Sequence, residues 1–552
     1  MISGISDFNI ASQSISGASA PAAQPIKTET AAPAPLPSDT LVKSSESDSS
    51  SGLISRSLFK SVSSADEAAP AAEASAVTTS SVDSWHQKWG PQVIYFPFTD
   101  RFNNGDTSND FNVNPNDIKA YHGGDLRGII NKLDYLESLG TTCLWLSPLY
   151  DNADQDHWGT SGYHGYWIKD HYAVDEHWGS MDDAKELVAK AHEKGMKVVL
   201  DTVLNQVAPD HAWTTDPSKH EWLHHNGGVT DWNNQWQVEN CDLCGLPDVN
   251  QGNPETYQYL LENTLWWVKE TGADGIRLDA IKHIDHGFWQ KFAADIKKEM
   301  GEDFMVLGEA LHGDPNVVSQ YQRDGIDSLF DMPLYYTIRD TIAKDGSARN
   351  IGNRFAEDCK YPDASKLVTL VDNHDFERFQ HFAGNRGDDK MMLAMDLIMT
   401  CRGIPSIYYG DEVNLEGGGD PDNRRDMQFG AKPYIAEHLQ KLTSTRAACP
   451  ALQFGQQLEM WQDDQIYCFG RRHEGQECIT VLNNSYDYQS RDIPLREGSP
   501  LHDGDVMVDA LTGDRFTVQN GRINVGVADK HGRVLVPEKD YKNIQFKDGV
   551  KQ

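Results

Sequence analysis

Between residues 93 and 409 short apolar runs recur, and most are followed by a stretch in which apolar residues return every three or four positions. The first pattern predicts buried strands and the second amphipathic helices. Strands are predicted at Val93–Phe98, Thr142–Leu146, Lys197–Val203, Gly275–Asp279, Phe304–Gly308, Ile326–Phe330, Leu367–Val371 and Pro405–Tyr409. Helices are predicted in "LRGIINKLDYLESLG", "MDDAKELVAKAHEKG" and "NPETYQYLLENTLWWVKETG". The last has Asn253 as N-cap, Pro254 at the first helical position and Gly272 past the end. Eight strands alternating with helices predict an α/β fold, a closed (β/α)8 TIM barrel, in preference to an open doubly wound sheet. No Gly-x-Gly-x-x-Gly follows the first strand, which weakens a nucleotide-binding reading.

Three regions depart from this rhythm. Residues 1–84 are dominated by Ser, Ala and Pro ("SSESDSSSG", "ADEAAPAAEASA") and hold too little apolar surface to offset chain entropy. They are expected to be a disordered tail, serving as a linker or as an export signal read without cleavage. Residues 205–252 form an insertion rich in Trp, His, Asn and Asp, and connections of that length are usually functional. Residues 451–552 carry runs such as "QIYCFGRR" and "ECITVLNNS", read as short antiparallel strands of a separate β-domain; residues 85–450 are then the barrel.

The chain has 552 residues, enough for two or three domains, and 83 acidic against 49 basic residues, a net charge of −34. That balance argues against a nucleic-acid partner. It suits a neutral polar ligand and leaves carboxylates for a cation. No apolar run reaches membrane-spanning length, and the start lacks a basic head and apolar core, so neither a membrane span nor a Sec-type signal is expected. The compartment stays open between cytoplasmic and export without a cleaved signal. Eight unevenly spaced cysteines do not describe a disulfide scaffold. Cys241 and Cys244 form a lone CxxC, read as a local disulfide or two idle thiols.

The predicted fourth strand, within "GADGIRLDAIKH", places Arg277 and Asp279 two residues apart and so on one face, opposite Ile276 and Leu278. Active sites of such barrels lie at the C-terminal strand ends. Those ends supply Asp201, Arg277, Asp279, Glu309 and the "DNHD" run Asp372–Asp375. Two carboxyl groups facing each other across a cleft are what glycoside hydrolysis requires. Arg277 beside Asp279 is expected to lower that carboxyl's pKa and hold it ionised.

The motifs "DTVLNQ" (201–206), "LPDVN" (246–250), "GIRLDAIKH" (275–283), "GEAL" (308–311), "VDNHD" (371–375), "YHGYW" (163–167) and "GIPSIYYGDE" (403–412) resemble those of the α-amylase family, glycoside hydrolase family 13. The resemblance covers roughly residues 90–450, with a tail domain similar to the family's C-terminal β-sandwich. It implies Asp279 as nucleophile, Glu309 as general acid/base and Asp375 as the third carboxylate. It implies Arg277 and His374 as flanking substrate contacts, Tyr166 as a sugar-stacking platform, His164 as a hydrogen-bonding partner and Lys282 on the leaving-group side. Residues 205–252 would be the B domain, with Asn205, Asp248 and the main-chain carbonyl of His283 matching ligands of a calcium ion. Gln206 stands where the family's motif ends in histidine, which implies reduced turnover or altered preference.

The segment "EGGGDPDNRRDM" (416–427) resembles the loop of cyclodextrin-forming glucanotransferases, in which Asp420 and Arg424 would bind a more distant sugar; "HHNGGVTDWNN" (224–234) points the same way. A chain of this length has no room for the further starch-binding domains of those transferases, and a ring-guiding aromatic is not evident. The expected activity is therefore retaining hydrolysis of α-1,4-glucan by a monomer, with transglycosylation as the alternative. A non-catalytic glucan-binding relative is a third reading, disfavoured because Asp279, Glu309 and Asp375 are all present.

Overall fold

The computed structural model describes residues 82–547 and 549–551. The expectation for the Ser/Ala/Pro-rich tail therefore lies outside the described residues as far as residue 81. Eight parallel strands build the barrel: β1 Ile94–Phe96, β2 Cys143–Leu146, β3 Lys197–Thr202, β4 Gly275–Leu278, β5 Met305–Gly308, β6 Ser328–Leu329, β7 Val368–Thr369 and β8 Ile404–Tyr408. They are ordered β6-β5-β4-β3-β2-β1-β8-β7, and a parallel bridge between Phe330 and Val368 closes the ring. All eight are buried, as expected for parallel strands covered on both faces.

Seven predicted strands are found within their segments, each trimmed by a residue or more, and the eighth is shifted by one residue, starting at Ile404 and ending at Tyr408. The helix Pro254–Thr271 has the expected ends: the Asn253 side chain accepts from Glu255 and Thr256 N–H, and Gly272 takes a left-handed φ of 80°. "LRGIINKLDYLESLG" is two helices, Leu126–Asn131 and Leu133–Leu139, broken at Lys132.

Between β3 and the Pro254–Thr271 helix the insertion holds short turns at Ala212–Thr214 and Pro217–Trp222 and a helix at Gln235–Asn240. The bridge Gln206–Asp248 ties its return limb to the segment leaving β3, and Leu223–Val249 ties it to the middle of the insertion. Two-residue turns cap two loops, one between β2 and β3 and one in the insertion. Trp158-Gly159 is closed by reciprocal His157–Thr160 hydrogen bonds, and Cys244-Gly245 by Leu246 N–H to the Leu243 carbonyl. All four turn residues have positive φ.

Beyond the barrel, eight antiparallel strands follow: β9 Gln456–Gln462, β10 Ile466–His473, β11 Gln476–Asn483, β12 Gln489–Pro494, β13 Val506–Asp509, β14 Arg515–Gln519, β15 Arg522–Val527 and β16 Gly532–Pro537. Their order is β9-β10-β11-β16-β13-β14-β15-β12. Ile466 and Ile479 share one apolar cluster with Ile493 and Val525, so the sheet folds over its own core. Buried Arg471 of β10 fastens this domain to the barrel, donating to the Thr400 and Gly455 carbonyls.

Candidate active site

Registry places the charged residues together. Asp201 pairs with Arg277 across β3 and β4, and Leu278 with Gly308 across β4 and β5. Past the strands, Asp279 N–H bonds the Thr202 carbonyl at 3.0 Å and Glu309 N–H bonds the Leu278 carbonyl at 3.0 Å. Asp279 and Glu309 thus leave adjacent strands at the same level. Ala280 then turns into the left-handed region at φ 47°, an uncommon conformation for a residue with a Cβ and one that clusters at functional sites. Gly308 permits the close packing beneath, since a Cβ there would meet Ile281 Cδ1 at 2.7 Å.

Arg277 is the hub. Its Nη1 lies 2.8 Å from Asp201 Oδ1 and 2.8 Å from Asp279 Oδ1, and its Nη2 lies 2.7 Å from Glu309 Oε2. One fully buried guanidinium therefore neutralises part of a three-carboxylate cluster. The sequence-based expectation that Arg277 lowers the Asp279 pKa holds for the sign of that interaction but not for the sum. Burial raises the Asp279 carboxyl above its ordinary range, with Arg277 pulling against it. Burial likewise pushes Asp201 up to about 7 and Glu309 up to about 8, again opposed by Arg277. The cause is arithmetic: one cation shared three ways cannot repay the desolvation of three anions.

Asp375 follows β7, where its carboxylate lies 3.5 Å from Arg424 Nη2 and 3.5 Å from His374 Nε2. Arg424 in turn pairs with Asp420 at 3.1 Å, so the two residues of the 416–427 loop sit directly behind Asp375. Lys282 is on the opposite flank: its Nζ donates to the Leu311 carbonyl at 3.3 Å, and its pKa is lowered by burial against the pull of Glu309.

Between these flanks lies a pocket bordered by Asp279, Asp375, His374, His164, Tyr166 and Gln206. Tyr166 stacks on His374 with centroids 5.3 Å apart, and its hydroxyl donates to Asp201 at 2.9 Å. His164 Nδ1 accepts from Tyr166 N–H, which leaves Nε2 as a buried ring nitrogen without a protein partner. Gln206 donates from Nε2 to Asp279 Oδ2 at 3.4 Å, and its Oε1 is buried without a partner.

Sequence reasoning missed part of this wall. Trp145 donates to Asp201 at 3.2 Å and lies against Arg277, holding the cluster's inner side. Leu243, Cys244 and Leu246 of the insertion roof the pocket with Trp167. The signal available was Gly245 inside the insertion, since glycine supplies the positive φ that a tight turn needs. Cys241 and Cys244 are not joined by a disulfide.

Two of the three expected cation ligands, Asn205 and Asp248, lie side by side at the base of the insertion. Val249 N–H bonds the Asn205 carbonyl at 2.8 Å, which sets Asn205 beside Asp248. Asn205 is fully buried, and neither its side-chain oxygen nor its nitrogen has a hydrogen-bond partner. Asp248 is buried too; it accepts from His224 Nδ1 at 2.7 Å, and burial pushes its carboxyl up to about 7. His283 ends the turn Ile281–His283, anchored by its Nδ1–H to the Val238 carbonyl at 3.0 Å. An orphaned amide beside a carboxylate offers oxygen donors of the kind a hard cation takes.

Residues 96–444 match the α-amylase catalytic domain. The chain belongs to the α-amylase family of glycoside hydrolases. It is 40% identical over 476 residues to the beta/alpha-amylase of Paenibacillus polymyxa, covering 83% of this chain but only 39% of that relative's length. The solved structure of an Anoxybacillus α-amylase aligns with a TM-score of 0.77 at 38% identity, over 83% of this chain and 99% of that one. A cyclomaltodextrin glucanotransferase with a three-domain ABC distribution aligns with a TM-score of 0.74 at 30% identity, over 81% and 99%. A transferase of that size removes chain length as an argument between hydrolysis and transfer. Among the described residues no helix is long and apolar enough to cross a membrane.

Proposed function

We propose that this protein cleaves α-1,4-glucosidic bonds of starch-like glucans with retention of configuration. The carrying observation is that Asp279 and Glu309 lie on two nitrogens of one guanidinium. That arrangement favours the short carboxyl separation of a retaining site over the wider gap that admits a water in inverting ones. Glu309, pushed up to about 8, holds a proton at neutral pH and donates it to the glycosidic oxygen. Asp279 attacks the anomeric carbon as that carbon–oxygen bond breaks, and a covalent glycosyl ester forms. Glu309, now a carboxylate, takes a proton from water; the water oxygen attacks the anomeric carbon and Asp279 leaves. Asp375, His374, His164 and Gln206 bind hydroxyls of the distorted sugar, Tyr166 stacks on its apolar face, and Arg277 steadies the carboxylates. Asp420 and Arg424 hold a sugar further along.

Asn205, Asp248 and the His283 carbonyl would hold calcium, whose binding would pin the insertion to the barrel end. The ion takes no part in bond breaking.

A second reading, glucan transfer, is favoured by the apolar roof of Leu243 and Leu246 over the pocket, which limits water, and by likeness to the three-domain glucanotransferase. Both readings share the glycosyl ester and differ in the acceptor. The test is incubation with maltoheptaose, with Glu309→Gln as control. Shorter linear products released first as the α-anomer support hydrolysis with retention; elongated or cyclic products support transfer. Equal activity in wild type and Glu309→Gln overturns both.

A further inference from the structure

The motifs at 371–375 and 403–412 each hold a carboxyl group that the proposed reaction leaves unused, Asp372 and Asp411. Both are buried. Their Oδ2 atoms accept main-chain N–H groups, Asp372 from Phe379 at 2.7 Å and Asp411 from Tyr408 at 3.0 Å. Their Oδ1 atoms have no such donor. Each Oδ1 lies 3.7 Å from Arg378 Nη1, beyond hydrogen-bonding distance, and that nitrogen donates to the Tyr409 carbonyl at 2.7 Å. The two acidic side chains are within hydrogen-bonding reach of each other. Ionised carboxylates only accept, so two of them cannot bond; one shared proton satisfies both orphaned oxygens. It also balances the charge, leaving one anion beside one buried guanidinium.

The groups around the pair favour that proton. Burial holds the Asp411 carboxyl well above its ordinary range, Asp372 and Glu412 add to the rise, and Arg378 opposes it. Glu412 accepts from the Tyr95 and Tyr135 hydroxyls, so it does not supply the missing donor. Tyr408 and Tyr409 lie against Arg378, and Tyr335 faces Asp372. The pair also brackets the segment that carries Asp375, which lies three residues after Asp372 and three before Arg378. Phe379 N–H on Asp372 closes that segment on itself. Arg378 Nε donates to the Asn423 carbonyl at 2.9 Å, and the Asn423 amide donates to the His374 carbonyl at 2.7 Å. Asp411, on the turn after β8, therefore faces both ends of the segment.

We infer that Asp411 is a positioning residue: its carboxyl O–H donates to Asp372, and this acid pair fixes the segment that presents His374 and Asp375 to the pocket. The inference rests on the proposed glucan-cleaving role of Asp375.

The experiment compares Asp411→Asn, Asp411→Ala and wild type on maltoheptaose. Asp411→Asn offers a neutral N–H donor in place of the shared proton and keeps an oxygen for Tyr408 N–H, whereas Asp411→Ala offers neither. Asp411→Asn should keep kcat within about twofold of wild type, and Asp411→Ala should lose about tenfold, in kcat more than in KM. Added to Asp375→Asn, Asp411→Ala should lower the residual kcat by less than about twofold, because its effect runs through Asp375. Denaturant melts read the proton itself. A carboxyl kept protonated by the fold contributes fully below its ordinary value near 3.8, and that contribution is lost as pH rises. The folding equilibrium constant of wild type relative to Asp411→Asn should therefore fall about tenfold per pH unit between about pH 5 and 8. A flat ratio overturns the shared proton. Asp411→Asn as impaired as Asp411→Ala, or an Asp411→Ala loss as large without Asp375 as with it, overturns the positioning role. A wild type inactive on maltoheptaose would overturn the glucan-cleaving reading and with it the role of Asp375, while the pH slope would still decide the shared proton.

Discussion

Gln206 reaches Asp279 with its side-chain amide, Nε2 to Oδ2 at 3.4 Å, while the other end of that amide has no partner. The contact is long for an N–H···O bond, whose usual range ends near about 3.2 Å. The amide is neutral, so it offers the Asp279 carboxyl a dipole without a charge. Gln206→Ala should therefore lower kcat on maltoheptaose by about 10²-fold, the scale of one lost donor to a developing charge. Gln206→His should keep activity within about tenfold of wild type, and a gain would mark the glutamine as the cause of slow turnover. Steady-state kinetics on one substrate decides both.

Glu309 is pushed up to about 8 by burial, so the active site should need it protonated. The rate should fall as pH rises through about 8, and Glu309→Gln should lose about 10²–10⁴-fold in kcat at neutral pH. Stability carries the same signature. A carboxyl whose folded pKa is raised contributes fully below its ordinary value near 4.5, and that contribution is lost as pH climbs towards 8. The stability of wild type minus that of Glu309→Gln should therefore decline across that window. Denaturant melts at pH 4.5, 6 and 8 measure it, and a flat difference would contradict the burial argument.

Arg277 serves three carboxylates from one guanidinium. Lysine is a point charge and cannot reproduce that fork. Arg277→Lys should fold but lose about 10²-fold or more in kcat. Arg277→Ala leaves the cluster without a cation and should cost about 3–5 kcal/mol, less whatever the carboxyls recover by taking up protons. Chemical denaturation at pH 5 and pH 8 should show the larger loss at pH 8.

Asn205 is buried with both ends of its amide unpaired, beside Asp248. If calcium fills that gap, chelation should lower the thermal midpoint, and added calcium at about 100 times its Kd should restore about 2.7 kcal/mol. Asn205→Ala and Asp248→Ala should abolish the calcium-dependent shift. Calorimetry with and without chelator reads this independently of activity, and an unchanged midpoint in wild type would remove calcium from the account.

How much of this was legible in the chain follows from how local each feature is. Strand and helix patterns are set by neighbours within a few residues, so the eight barrel strands and the capped helix at Asn253 could be read directly. The facing of Arg277 and Asp279 followed from strand alternation alone. The motifs fixed which carboxylates meet, because strand ends of a closed barrel share one rim. By itself the sequence thus determined the barrel, its catalytic rim and the residue types gathered there. Only the tertiary structure decided the protonation balance, since desolvation depends on everything packed around a group, and it reversed the expected net shift of Asp279. It alone also brought the turns at Trp158 and Cys244 into contact. Those turns lie 86 residues apart, on loops whose mutual distance is set by the packing of the insertion on the barrel, and no local pattern encodes that.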